Sequence, residues 1–160
     1  MKGKMFLKTG MMIVMVAVLL GWGLPASGQD NMQILRDKIK ADKKLLVASN
    51  MELTDAEAKA FWPVYEEYQK ELAAINQRIG KMIESYAADY NAKSLTDEKA
   101  KKLVEEMVAV EKAEAAMKAA YAPKLAKVLP QVKVARYLQI ENKIRALVKY
   151  ELAGAVPLAQ

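Results

Sequence analysis

Histidine and cysteine are both absent from the 160 residues. Without a thiol the chain forms no disulfide and takes no lipid on a processed N-terminal cysteine. Without either residue the usual zinc and copper ligand sets and the nucleophile–base arrangements cannot be built. A di-iron site on a four-helix scaffold fails with them, because it needs Glu-x-x-His pairs. Glycine is scarce, with seven residues, and no glycine-rich phosphate loop occurs. The soft donors beyond residue 28 are Met32, Met51, Met82, Met107 and Met117, scattered along the chain as core-filling methionines are. The adjacent carboxylates Glu66-Glu67 and Glu105-Glu106 point in different directions on a helix and share no site. The sequence therefore predicts no enzyme, no cofactor and no resident metal.

No alternating strand pattern occurs, so the chain reads as all-α. It opens with Lys2, Lys4 and Lys8, an apolar run from Met11 to Leu20, and the small-residue stretch Gly23-Leu24-Pro25-Ala26-Ser27-Gly28. That order is a secretory signal peptide over residues 1–28, with cleavage expected after Gly28. The run is well short of the ~20 residues of a spanning helix, so no membrane span is expected after cleavage. Cleavage removes three of the 25 basic residues and none of the 19 acidic ones, lowering the formal net charge from +6 to +3. Export and this modest charge argue against nucleic acid as a partner. Residues 29–160 suffice for a single helical domain.

A first, lysine-rich and loosely attached helix is expected from Asp30 or Asn31 to about Ala48, carrying Leu35, Ile39 and Leu46 and ended by Ser49-Asn50. The second opens at Leu53-Thr54-Asp55-Ala56-Glu57, where Thr54 and Glu57 have the spacing of a capping box. Phe61, Tyr65, Tyr68, Leu72, Ile75, Ile79, Met82 and Tyr86 then alternate spacings of four and three, the seam of a long coiled-coil helix. Pro63 lies in register inside that seam and predicts a kink. Trp62, off the seam, either packs at the bend or is exposed.

Asn91 to Ser94 reads as a turn. Leu95-Thr96-Asp97 repeats the earlier triplet forty-two positions on and opens a third helix to about Tyr121. Its seam is Ala100, Leu103, Met107, Val110, Met117 and Tyr121, so six heptads relate Tyr65 to Met107 and Tyr68 to Val110. The relation fails where Leu72 corresponds to Glu114, an acid either at an open end of the packing or paired, for instance with Lys118 one turn away. Pro123 and Pro130 bracket a link to a last helix ending near Leu152, ahead of Gly154 and Pro157. Tyr137, Ile140, Ile144, Leu147 and Val148 form its apolar face. The pairs Glu66–Lys70, Asp97–Lys101, Glu98–Lys102 and Glu141–Arg145 read as solvated, weakly stabilising faces.

Two features carry a functional reading beside a plainer one. The Leu53-Thr54 and Leu95-Thr96 starts are either simple caps or a recognition motif. The last helix, with seven basic residues against two acidic ones from Lys124 to Glu151, is either a core stripe edged by cations or a working surface. In the second case Arg136, Tyr137, Ile140, Lys143 and Ile144 would hold acidic or apolar unfolded segments.

The two starts, Leu53-Thr54-Asp55-Ala56-Glu57 and Leu95-Thr96-Asp97-Glu98-Lys99, on an exported all-helical chain, resemble the Spy/CpxP-like periplasmic proteins, the LTXXQ motif family. Both depart from its pattern at the fifth position, where Glu57 and Lys99 stand for glutamine. The resemblance implies periplasmic localisation and long kinked antiparallel helices in a hairpin or bundle, paired as a cradle-like homodimer. It also implies ATP-independent chaperone or stress-response activity toward unfolded envelope proteins. Other branches imply a regulatory adaptor docking on a signalling protein, or metal sensing, which the missing histidine disfavours.

Overall fold

The computed structural model describes residues 42–160. The expected signal peptide and the expected start of the first helix, with Leu35 and Ile39, lie outside them. All the described secondary structure is helical. Residues 42–51 are the described part of α1; α2 is Asp55–Asn91, α3 Asp97–Ala126 and α4 Gln131–Ala155.

The start of α2 follows from its capping box. The Glu57 amide donates to Thr54 Oγ1 at 3.3 Å and the Thr54 amide to Glu57 Oε2 at 2.8 Å, which satisfies two of the N–H groups every helix leaves unpaired. The helix continues through Pro63 to reach 37 residues, roughly 55 Å. It ends in a Schellman turn: Ser94 N–H bonds to the Asp89 carbonyl and Lys93 N–H to that of Tyr90. Lys93 takes the left-handed position (φ 51°) usually filled by glycine. Only half a capping box forms on α3, with Thr96 Oγ1 accepting from the Lys99 amide at 3.4 Å. The Lys99 ammonium instead crosses the turn to Asp89 at 2.6 Å and ties the two helix ends together.

α2 and α3 form an antiparallel hairpin, joined by Asp89–Lys99 at the turn, Arg78–Glu106 midway and Tyr121–Glu71 toward the base. α4 runs back along it, parallel to α2. The order of contacts records this: Lys133 with Glu57, Tyr137 with Gln69, Arg145 with Asn76, and Pro157 with Tyr86. Near the base Val47, Met51, Phe61, Tyr65, Tyr68, Met117, Tyr121, Leu125, Leu129, Val134 and Tyr137 make one core. At its centre Tyr137 lies 5.2 Å from Phe61, 5.5 Å from Tyr68 and 6.1 Å from Tyr65, each edge to face. Pairs of this geometry add about 0.5–1.5 kcal/mol beyond area burial.

Several expectations are corrected. The described part of α1 is not loosely attached, since Val47 and Met51 are fully buried while Leu46 is exposed. Ser49 and Asn50 lie inside α1, which stops where Glu52 turns left-handed (φ 49°). Pro123 is inside α3 and only Lys127 to Pro130 link it to α4, which runs through Gly154 to Ala155. Met107 and Leu147, expected on seams, are exposed, since spacing gathers residues on one face without fixing which neighbour covers it. Of the two alternatives left open for Trp62, packing holds: it is half-buried against the core.

Candidate functional site

Positions 136, 140, 143, 147 and 150 recur every three or four residues and so share one face of α4. Toward the base this face meets the end of α1 in a shallow, open depression of about 310 Å³. Ser49, Asn50 and Glu52 line one side, and Arg136, Gln139, Ile140 and Lys143 the other. Arg136 reaches Glu52 at 3.1 Å. Farther along, beyond the described part of α1, Leu147 is 60 % and Tyr150 73 % exposed.

Of the five residues expected to hold a client, Arg136, Ile140 and Lys143 meet at this depression, and Ile144 is half-buried one turn on. Tyr137 does not belong with them. It is fully buried in the aromatic core and its hydroxyl accepts from Gln69, so it cannot touch a client without unfolding the base. Among the helix-start residues, Thr54, Glu57 and Thr96 cap, Leu53 packs against the core and Leu95 is half-buried. Glu57 also accepts from Lys133 at 2.6 Å. That bond, with the Thr54 amide, holds its carboxyl below the ordinary carboxylate range.

The basic excess of the last segment is largely matched by acids from other elements. Lys124 meets Glu67, Lys133 meets Glu57, Arg136 meets Glu52, and both Arg145 and Lys149 meet Glu114. Glu114 is thus paired with cations and not at an open end, although its partner is not Lys118, which bonds Asn142 instead. The expected Glu141–Arg145 surface pair is likewise corrected. Glu141 is buried and bonds Lys43 of α1 at 2.9 Å and Gln69 of α2 at 2.9 Å. Arg145 turns the other way, to Glu114 and Asn76, and burial lowers its pKa.

Two buried carboxylates therefore organise polar layers, of which periodicity singled out Glu114 and not Glu141. The signal was present in the sequence: both Glu114 and Glu141 occupy seam positions, Glu141 one turn after Tyr137. Among the described residues no group of three acids converges as a metal site. No described helix is long and apolar enough to cross a membrane. No family model, curated protein or solved structure matches the chain.

Proposed function

We propose that the chain is an exported, periplasmic, ATP-independent chaperone or envelope-stress protective protein of the Spy/CpxP-like kind. It holds unfolded or partly folded envelope proteins on the outward helical faces of a homodimer. Apolar exposure at helical spacing carries this reading: Leu147 and Tyr150 on α4, and Val104, Met107 and Val108 on α3. Large apolar side chains grouped in water mark a surface for other chains. Arg136 and Lys143 share the α4 face and favour acidic segments without demanding a sequence. A long thin bundle buries less surface per residue than a compact one, a deficit that pairing of two copies offsets.

The purified chain is expected to suppress aggregation of an unrelated unfolding protein without nucleotide. Leu147→Asp with Tyr150→Ser should remove most of that activity, and Arg136→Glu with Lys143→Glu should weaken it, with helical content unchanged in both. Aggregation that proceeds at a stoichiometric excess of the wild-type chain rejects the reading. Capture of one stoichiometric envelope partner in that case would assign the adaptor role.

A further inference from the structure

α3 has two faces with different tasks. Glu106, Val110, Glu114 and Met117 turn into the bundle, Glu106 to Arg78 of α2 and Glu114 to Arg145 and Lys149 of α4. The opposite face recurs at spacings of three and four as Lys101, Val104, Val108, Glu111 and Ala115, every one of them exposed. Val104 is 59 % and Val108 43 % exposed, and Met107 beside them 50 %. The fold itself does not call for two β-branched side chains there. Valine is a poorer helix former than the lysines and glutamates around it, and apolar groups gathered in water mark a contact surface.

The charges at the ends of this stripe say what fits it. Lys101 and Glu111 stand five positions either side of Glu106, and Val104 and Val108 two either side. A second copy laid parallel along the stripe sets Lys101 on Lys101 and Glu111 on Glu111. Laid antiparallel about a two-fold axis at residue 106, it sets Lys101 against Glu111 at both ends and Val104 against Val108 twice between them. That is the reciprocal pairing an isologous contact requires. Met107, one position from the axis, then meets Met107 of the copy. Glu105, on the other flank, is balanced by Lys101 of its own chain at 4.0 Å. Among the described residues Glu111 has no ion-pair partner of its own. We propose that the exposed stripe of α3 is a self-recognition surface, on which a second copy of this chain docks antiparallel about a two-fold axis at residue 106. This contact supplies the interface of the homodimer in the chaperone reading, on which it rests, and leaves Arg136, Lys143, Leu147 and Tyr150 of α4 to clients. Such a short stripe falls well below the roughly 20–30 residues a side of a stable interface, so the two copies pair reversibly, in the micromolar range.

Sedimentation equilibrium of the purified chain between about 1 and 500 µM should show monomer and dimer in exchange. Lys101→Glu alone and Glu111→Lys alone each turn both end pairs into like charges. Each should weaken the dimer by about tenfold or more with helical content kept. Mixed in equal amounts, the two variants should pair with each other about as tightly as the wild-type chain pairs with itself, because every end pair is then opposite in sign. A change confined to one copy cannot produce that recovery. Val104→Ser with Val108→Ser, which removes the apolar centre and keeps both charges, should leave the chain monomeric. A monomer throughout the range, a dimer unchanged by these substitutions, or variants that stay apart when mixed overturns the proposal. A dimer of this kind that lets aggregation proceed rejects the chaperone reading and keeps the surface, whereas suppression by a chain that never pairs does the reverse.

Discussion

Glu114 is an acid on a hydrophobic seam, buried between the charged ends of Arg145 and Lys149, and it has paired there because desolvation leaves it no other option. Removing one partner strands the other, so Glu114→Gln should destabilise the fold by about 3–5 kcal/mol. Glu114→Leu with Arg145→Met removes both groups and should cost far less, and the difference is read from denaturant unfolding of the three chains. Glu57 gives a pH test of opposite character. Its folded carboxyl binds protons less tightly than the unfolded one, whose ordinary value is 4.5. Its contribution is therefore complete above that value and lost as pH falls through the folded value. Melting temperatures of wild type and Glu57→Gln should differ at neutral pH and converge in acid. Thr54 and Glu57 were fully legible in the sequence because a capping box acts over three residues. The partners of Glu114 were not, because Arg145 lies thirty-one positions away and only the packing of α3 on α4 joins them.

Among the elements, α1 departs most from what its composition suggests. Rich in lysine and weakly patterned, it still places Val47 and Met51 wholly in the core. Met51→Ala should cost about 2–5 kcal/mol, the range for a buried methionine truncation, whereas Leu46→Ala should change stability by less than about 0.5 kcal/mol. Both follow from thermal or denaturant melts. Much of the seams of α2 and α3 was legible: Phe61, Tyr65, Tyr68, Val110, Met117 and Tyr121 are all buried. Spacing alone does not say which face a neighbour covers, since Met107 and Leu147 keep the seam spacing and face water. The extent of α3 was also hidden, because Pro123 removes one backbone hydrogen bond without ending the helix, which runs on to Ala126.

At the scale of the whole molecule, the buried phenols of Tyr65, Tyr68, Tyr121 and Tyr137 tie the base of the bundle together. Burial raises all four above the ordinary value of 10, and Tyr121, hydrogen-bonded to Glu71, is pushed up to about 12. The folded state holds these protons more tightly than the unfolded one. Stability is intact below the ordinary value and falls as pH rises above it. Phenolate absorbance near ~295 nm should thus appear in step with loss of the helical circular dichroism signal, with these four of the seven tyrosines ionising late. The all-helical architecture was legible throughout; the assignment of Tyr137 was not, because a stripe on a helical wheel does not say which neighbour covers it. The links of the bundle have one more consequence. α2 to α3 and α3 to α4 are joined by five and four residues, so these antiparallel pairs form between chain neighbours and most contacts of the bundle are local. Such local pairing gives a low contact order. The bundle should then refold within about milliseconds in a stopped-flow jump, hairpin first, leaving little time for its own exposed seams to aggregate.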